Sequence, residues 1–201
     1  MSSQKAEAIP YRQIRAQYDS TTITVYQAYC SAIAIPAVQE QKLNASPAFR
    51  MTRMTWIKPS WCWMMYRAGY SYKDAGQERI LAIKMSHQGF SELLSHGVLA
   101  ERGNGENKAT VKVQWDPERN MRLERLDHRS IQIGIPAVLC ERWINEWIVG
   151  IEDVTEKAEG LKAALEAEPN VSEGELGSRG LLPEERPFEV SEELKKLLQV
   201  G

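Results

Sequence analysis

The chain has 201 residues, of which 43% are hydrophobic and 26% charged, and its formal net charge is −2. This is the composition of a soluble globular protein of about one domain, and no apolar run approaches the ~18 residues that span a bilayer. The N-terminus has no apolar core of a secretory signal, and the three cysteines are too dispersed for a disulfide framework or a clustered zinc site. We therefore expect an intracellular protein, cytoplasmic or nuclear, without membrane contact.

The first part of the chain predicts a helix, a strand and a second helix. Residues 1–10 carry no periodic apolar pattern and are predicted to be disordered. Apolar side chains spaced by three and four residues predict a short helix over 11–19. The β-branched and aromatic run TTITVYQAY predicts a strand over 21–29. A helix over 31–42 follows, with Ser31 as its N-cap.

The middle of the chain alternates between strand and helix. MTWIKP predicts a strand over 54–59, and the next residues predict a helix over 60–70. Ser60 is the expected N-cap of that helix, because serine hydroxyls accept hydrogen bonds from the first turn. ERILAIKM predicts a buried strand over 78–85, and a short helix is predicted over 86–98.

The remaining residues predict a polar loop, two strands and a longer helix. The loop covers 101–109, the strands cover 110–116 and 129–135, and the amphipathic helix covers 136–155. Strands dispersed among short helices, without a regular βαβ rhythm, favour an α+β fold. We expect a single domain with a mixed, mainly antiparallel sheet flanked by short helices.

Residues 156–201 differ in composition from the rest. They contain 11 Asp and Glu against 6 Lys and Arg, and no Trp or Tyr. Segments poor in large apolar residues bury too little surface to offset their ordering entropy. The sequence therefore predicts a globular domain over 11–155, followed by an acidic tail with one or two short helices over 156–201.

The stretch RMTWIKPSWCWMMYRAGY, residues 53–70, combines aromatic rings with cations. On a strand, Trp56 and Lys58 share one face; on a helix, Trp63, Tyr66 and Arg67 form one stripe. The start of the helix also offers free backbone N–H groups, which favour an anion. These features suit the wall of a nucleotide site. A tryptophan-rich core with arginines extending outward fits the same pattern.

Four polar residues are candidates for contacts or chemistry. Gln27 lies in an apolar strand and needs a hydrogen-bond partner, either in the core or in a ligand. In VQWDPER, Gln114 and Asp116 lie on one strand face, and Glu118 lies beyond a turn marked by Pro117. The two carboxylates are the candidate acid/base groups, although an Asp-Pro turn is also a common structural device.

Charge and motifs limit the classes of function. Residues 1–154 carry 19 Lys and Arg, 12 of them arginine, against 16 Asp and Glu. Arginine suits phosphate and carboxylate recognition, but it also forms ordinary surface ion pairs. The small excess does not by itself imply non-specific nucleic-acid binding. No nucleotide-loop, metalloprotease or hydrolase motif is present, and the three histidines lack metal-ligand spacing, so no metal is expected.

Several blocks of the chain resemble, in order, the family catalogued as domain of unknown function 4291. The blocks are YRQIRAQYD, TITVYQAY, RMTWIKPSWCWMMYRAGY, GQERILAIKM, VQWDPERN, RSIQIG and EWIVGIEDVT. They cover roughly residues 11–155 and leave 156–201 outside. This resemblance implies a domain and no settled activity.

The stretch TVYQAYCSAIAIPAVQEQK, a strand end followed by a Ser-led helix, is similar to the opening of ADP-ribosyltransferase-like folds. That second resemblance implies that Tyr26 and Gln27 line a nicotinamide-nucleotide cleft, with Gln27 in place of the usual histidine. It makes NAD the candidate cofactor. The likeness is one of fold and does not define a reaction.

Two functions of different classes follow from these patterns. The first is an enzyme acting on a nucleotide or nucleic acid, in which Asp116 or Glu118 is the acid/base group; the second resemblance implies that it is ADP-ribosyltransferase-like. Its expected ligand contacts are phosphate-binding cations, stacking rings and supporting polar groups: Arg12, Arg15, Arg53, Lys58, Arg67, Arg129, Tyr26, Trp56, Tyr66, Gln27, Ser60 and Gln114. The second is a non-catalytic module that binds RNA or a protein partner through the same surface.

The two functions predict different surroundings for the cations. The enzyme requires a cleft in which these residues converge with at least one carboxylate. The binding module requires an open, shallow surface with no carboxylate among the cations. A purely structural domain, with all its tryptophans in the core, is a third interpretation.

Overall fold

The computed structural model describes residues 9–100 and 110–201. Its strands are β1 (Arg15–Ala16), β2 (Thr22–Tyr29), β3 (Thr55–Ile57), β4 (Arg79–Ser86), β5 (Gly97–Leu99), β6 (Val111–Arg119), β7 (Arg125–Ile135), β8 (Ile148–Asp153) and β9 (Arg186–Pro187). Its α-helices are α1 (Ser31–Gln39), α2 (Trp61–Ala68), α3 (His87–Ser95), α4 (Ala137–Arg142), α5 (Thr155–Ala167), α6 (Glu173–Ser178) and α7 (Glu192–Leu198). The loop predicted over 101–109 and most of the predicted disordered N-terminus lie outside the described residues.

The strands form two principal sheets and one small one. The first sheet has the order β2-β4-β8 and is antiparallel, and the second has the order β3-β7-β6-β5. In the second sheet β3, β7 and β6 are antiparallel, whereas β5 and β6 are parallel. Strands β1 and β9 pair separately. The predicted α+β domain with mixed, mainly antiparallel sheets is confirmed.

Strand β4 lies at the centre of the first sheet and is buried on both faces. Leu81 and Ile83 belong to one hydrophobic cluster, while Ile80 and Ala82 belong to the other. Both faces of a strand are apolar when each is covered by other elements. The nearly continuous apolar run of β4 is therefore a consequence of its central position.

Helix α2 packs against the first sheet together with α5. Trp61 and Met65 of α2 are 1% and 0% exposed, and they share a cluster with Leu161 of α5. Gly69 ends α2 in the left-handed conformation, with φ of 56°, which glycine adopts without a steric penalty. This helix carries residues of both the core and the cleft described below.

The helix predicted over 11–19 is wrong. The segment is extended, forming β1 and isolated bridges from Arg12 to β7 and from Tyr18 to β2. Burial of Ile14 and Ala16 follows a period of two, which is the period of a strand. The tertiary pairing of this segment outweighs its weak helical spacing.

The helix predicted over 136–155 is too long. Helix α4 ends at Arg142, a π-helical turn covers Trp143–Trp147, and the chain then continues as β8. Ile151 of β8 pairs with Ile83 of β4 and is 2% exposed. The segment thereby completes the first sheet through backbone pairing with β4, a long-range contact that the local helical pattern does not encode.

Pro117 does not end its strand, which was predicted over 110–116. Strand β6 continues to Arg119, and its register with β7 shifts between Pro117 and Arg119. Proline lacks a backbone donor and is tolerated at such an irregularity. Glu118 is consequently part of the strand instead of lying beyond a turn.

Residues 156–201 contain three helices and a strand, more structure than the predicted one or two short helices. Leu161, Leu176 and Leu198 are fully buried, and the Trp115 indole Nε1 donates a hydrogen bond of 2.9 Å to the carbonyl oxygen of Leu198. Few apolar residues suffice here because these leucines are buried together with residues of the rest of the domain. No helix in the described parts of the chain is long and apolar enough to cross a bilayer.

Candidate functional site

The two principal sheets meet at one bridge, and a cleft opens beside it. Tyr26 of β2 donates its N–H to the carbonyl of Lys58 at 2.7 Å, and Lys58 donates its own to Tyr26 at 3.2 Å. Beyond this bridge β2 and β3 stay unpaired with each other and enclose a volume of 610 Å³. Helix α2 and the loop before β3 complete the walls. A volume of this size is typical of small-molecule sites.

The inner wall of the cleft carries a small polar network. The side chain of Gln27 donates through Nε2 to Thr55 Oγ1, and the Tyr29 hydroxyl lies 3.4 Å from the same oxygen. Gln27 Oε1 is buried and has no hydrogen-bond partner among the described residues. Burial raises the pKa of Tyr29, so its hydroxyl stays protonated. The inner wall therefore contains a hydrogen-bond acceptor, Gln27 Oε1, to which a ligand could donate an N–H or O–H group.

The backbone edges of β2 and β3 also face the cleft. In an antiparallel strand, each residue directs both its N–H and its C=O to one side, and successive residues alternate between the two sides. Tyr26 and Lys58 direct theirs toward each other at the bridge. Ala28 follows Tyr26 by two residues on β2, and Trp56 precedes Lys58 by two residues on β3. By this alternation, each of them directs its own backbone donor and acceptor into the cleft that both residues line. These groups can bind a planar ligand that carries both functions.

The position of Trp56 depends on a glycine in the neighbouring strand. Trp56 lies opposite Gly134 of β7, and a Cβ atom at Gly134 would lie 3.0 Å from two atoms of the Trp56 ring. The absent side chain lets the indole lie close against β7. Trp56 thereby reaches the cleft wall instead of projecting into solvent.

Cations surround the cleft, and no carboxylate lies among its described lining residues. The lining includes Arg50, Arg53, Lys58 and Arg67, and the three arginines are exposed. Arg67 donates to Gln77 Oε1 at 2.8 Å. Charges of one sign in a cleft with low-dielectric walls strengthen the local potential. The arrangement favours an anionic ligand.

Lys58 is the buried member of this group, only 2% exposed. Its Nζ lies 2.9 Å from Asp116 Oδ2 and 3.5 Å from the centroid of the Trp63 ring. Removal from water lowers the pKa of Lys58 to about 8, and the Asp116 carboxylate limits this shift by favouring the charged amine. A lysine with such a pKa can exchange a proton near neutral pH.

The predicted catalytic carboxylates have different positions. Asp116 is not one of the described lining residues, but it accepts a hydrogen bond from Lys58, which is. Glu118 is 7% exposed and accepts hydrogen bonds from the Ser60 hydroxyl and the Arg119 backbone N–H, both at 2.7 Å. Ser60 is 1% exposed. Glu118 and Ser60 thus hold α2 against β6 behind the cleft wall.

The start of α2 is not open to a ligand, contrary to the prediction from sequence. Ser60 Oγ accepts from the Trp63 N–H at 3.1 Å, and Glu185 Oε1 accepts from the Trp61 N–H at 2.6 Å. Both acceptors belong to the protein itself, so the N–H groups of Trp61 and Trp63 are not free to bind an anion. The sequence offered no local signal for Glu185, which follows Trp61 by 124 residues.

Glu185 is expected to make the stability of the protein depend on pH. Burial, reinforced by the Glu118 charge, raises its pKa to about 8, while the Trp61 N–H, Arg15 and Lys157 oppose the shift. A carboxyl group whose pKa is higher in the folded than in the unfolded protein makes its full contribution to stability at pH values below the unfolded-state pKa. This contribution is lost as pH rises toward the folded-state pKa of about 8. Glu185→Gln should therefore raise the free energy of unfolding by about 2 kcal/mol at pH 8 and change it little at pH 4.5.

Urea unfolding of both proteins at the two pH values measures this effect. Glu184→Gln is the matched control, because Glu184 is the exposed neighbour and should leave the pH profile unchanged. Equal gains from Glu185→Gln at both pH values would contradict a titrating carboxyl at this position.

The structure brings together about half of the predicted ligand contacts. Tyr26, Gln27, Arg53, Trp56, Lys58 and Arg67 line the cleft. Tyr66 lies on the outer face of α2, and Gln114 lies opposite Gln132, itself a lining residue. Lining residues that were not selected from sequence include Tyr29, Arg50, Thr55 and Trp63. Tyr29 could have been selected, because it shares a strand face with Gln27.

Three predicted cations lie away from the cleft. Arg15 donates to the carbonyl of Glu185 at 2.8 Å, and Arg12 donates to the side chain of Gln199. Arg129 donates to the Tyr11 hydroxyl at 2.9 Å and to the carbonyl of Trp115 at 3.0 Å. These arginines connect the N-terminal and C-terminal segments to the rest of the domain.

Among the described residues, no group of three or more His, Cys, Asp or Glu side chains is placed to hold a metal ion. Cys62 and Cys140 are free, and burial raises the pKa of both thiols, which disfavours the reactive thiolate. The side chains of the cleft that suit an anionic, ring-containing cofactor are its arginines, its aromatic rings and the Gln27 amide.

Comparison with known proteins identifies the family. A search of the curated proteins found no match to the chain. The family described as Domain of unknown function (DUF4291) matches residues 13–188. The match extends beyond the expected limit at 155 and includes Glu185 and Phe188, which pack in the domain. Since the match covers most of the sequence, the chain belongs to the family of the Domain of unknown function (DUF4291).

Proposed function

We propose that the cleft binds a nucleotide and that the protein is a nucleotide-directed enzyme. The observation that carries the proposal is the buried, unpartnered Oε1 of Gln27 on the inner wall. An unsatisfied buried acceptor is costly, so it favours a ligand that supplies an N–H donor. The exocyclic amine of a nucleobase and the carboxamide of nicotinamide both supply one.

The other groups of the inner cleft suit a planar heterocycle. Tyr29, Trp56 and Trp63 supply aromatic surface, and stacking on such rings tolerates different bases. The backbone groups of Ala28 and Trp56 can pair with the donor and acceptor edge of a base or an amide. A ring held in this way would leave its attached sugar and phosphates directed away from the inner wall.

The cations suit the phosphates of the same ligand. Arg50 and Arg53 lie on the loop before β3, and Arg67 lies on α2 across the cleft. Guanidinium groups bind phosphate oxygens through two parallel N–H donors. Because these arginines are exposed, binding should weaken as salt concentration rises.

The enzymatic part of the proposal rests on Lys58 and Asp116. Lys58 Nζ lies 2.9 Å from Asp116 Oδ2, and the lowered pKa of this buried amine suits it to exchange a proton with a ligand at the cleft wall. The order Tyr26-Gln27-Ala28 at the end of β2 supports an ADP-ribosyltransferase-like use of NAD, in which Gln27 and Ala28 would receive the nicotinamide amide. In this role Lys58 or Asp116 would stabilise charge that develops during the reaction.

A non-catalytic RNA- or protein-binding module is the second candidate. It is favoured by the absence of Asp and Glu from the described lining residues. A site made of cations and rings binds without providing an acid/base group of its own. The two candidates differ in whether a bound ligand is turned over.

Thermal unfolding in the presence of NAD, ADP-ribose, ATP, GTP and AMP tests the proposed site. A ligand at 100 times its Kd adds about 2.7 kcal/mol, which raises Tm by several degrees. We expect such a shift with at least one of these nucleotides. It should be lost in Arg53→Ala and Gln27→Met, whereas Arg125→Ala, at an exposed arginine outside the cleft, should keep it.

The absence of a shift with every nucleotide would overturn the proposal. Chromatography of the nucleotide after incubation then separates the two candidates. Release of nicotinamide or another product supports the enzyme, and an intact bound nucleotide supports the binding module.

A further inference from the structure

The outer face of α2 carries a second aromatic surface, continuous with the cleft. Tyr66 is 47% exposed, and its ring centroid lies 6.5 Å from that of Trp63 at an interplanar angle of 63°. The Arg119 guanidinium lies over the Tyr66 ring, 3.9 Å from its centroid. We call these three residues the α2 ledge. It consists of two rings and one cation at the protein surface.

The spacing along α2 explains why the ledge and the cleft are connected. Trp63, Tyr66 and Arg67 are three and four residues apart and so lie on one side of the helix. Trp63 and Arg67 line the cleft, whereas Tyr66 points further outward. Trp63 is therefore shared, with Lys58 against its ring on the cleft side.

Packing within the protein accounts for Arg119 but not for the exposed part of the Tyr66 ring. On the opposite side of the same helix, Trp61, Met64 and Met65 are at most 5% exposed. Tyr66 keeps nearly half of its surface in water, and Arg119 Nη1 donates to the carbonyl oxygen of Leu123 at 3.2 Å. The Nε of Arg119 is buried, and it has no hydrogen-bond partner in the described part of the chain. The protein therefore holds this guanidinium over one part of the Tyr66 ring, and the exposed part of the ring is left open to a ligand.

We propose that the ligand of the cleft is single-stranded nucleic acid and that its next base stacks on the α2 ledge. This inference rests on the proposed nucleotide site and names the class of its ligand. Successive bases of a single strand stack on aromatic side chains, while arginines bind the backbone between them. The half-exposed Tyr66 ring lies beside Trp63 at the edge of the cleft, and Arg67 is an exposed cation of the cleft on the same side of α2, so a ligand longer than one nucleotide can reach both.

Isothermal titration calorimetry with AMP, the dinucleotide ApA and an RNA tetraadenylate tests the inference. Stacking of one further base should strengthen binding by roughly tenfold from AMP to the tetraadenylate. In Tyr66→Ala the ratio of the two affinities should fall close to one. Tyr72→Ala is the matched control, because Tyr72 is another exposed tyrosine, 63% accessible, with Lys162 near its ring.

The outcomes separate this inference from the proposed function. Equal affinities for AMP and the tetraadenylate in the wild-type protein would overturn the inference and leave the mononucleotide site intact. A length-dependent gain that persists in Tyr66→Ala would also overturn it, because the strand would then leave by another route. Binding by none of the three adenylates would overturn it as well, while the panel of nucleotides decides the proposed function independently.

Discussion

Replacing Phe188 with alanine is expected to lower the free energy of unfolding by about 3–5 kcal/mol, the range for large aromatic side chains deleted from a core. Phe188 follows β9 and is 9% exposed. Its ring makes edge contacts with Tyr18, His87 and Phe90, at centroid distances of 5.3, 5.1 and 5.5 Å. The deletion would leave a cavity between the N-terminal segment, α3 and the C-terminal residues.

Urea unfolding measures this loss, and Leu197→Ala provides the control. Leu197 lies on α7 in the same segment but is 42% exposed, so its replacement should change the stability by less than about 0.5 kcal/mol. A loss below about 1 kcal/mol in Phe188→Ala would mean that the residues after 155 behave as the separate acidic tail expected from composition.

Replacing Asp116 with alanine is expected to lower the free energy of unfolding by about 2–4 kcal/mol at pH 7. The cost arises because Lys58, 2% exposed, loses the carboxylate that stabilises its charge. Without that partner the pKa of Lys58 falls further. Below pH 8 the wild-type lysine is charged and paired, whereas above pH 8 the amine is neutral in both proteins. The difference in stability should therefore shrink as pH rises through 8.

Two further variants distinguish this charge effect from a loss of packing. Lys58→Met should cost less than Asp116→Ala, since the remaining carboxylate is 27% exposed and stays solvated. The double variant should recover most of the stability lost in Asp116→Ala, because no uncompensated buried charge remains. Equal losses at pH 7 and pH 10, measured by urea unfolding, would contradict the assignment.

The local elements around the cleft were predictable from sequence. The strand and helix in residues 54–70 were predicted because Ser60 caps the helix and Gly69 ends it, and both signals depend on neighbouring residues only. Strands β2 and β4 were predicted for the same reason, since their β-branched and apolar runs are continuous. The prediction failed at β1 and β8, where pairing with a distant strand decides the conformation.

The division of the aromatic residues between core and cleft was not predictable. The pattern places Trp61 and Trp63 on different sides of one helix but does not say which side meets the sheet. The structure buries Trp61 beside Tyr26 and leaves Trp63 in the cleft. The arginines show the same limit, because Arg53 and Arg15 look alike in sequence. Only the chain topology places one at the cleft and the other beside Glu185.

In the described part of the chain, one backbone bridge, between Tyr26 and Lys58, joins strand β2 to strand β3. The two sheets also pack on each other through a shared hydrophobic cluster that includes Val25 and Ile133, so the contact between them is mainly one of side chains. A ligand bonded to both strand edges would add backbone hydrogen bonds between the sheets where β2 and β3 make none to each other. Such a ligand would bind only the folded arrangement of the two strands and would therefore stabilise the whole domain against unfolding.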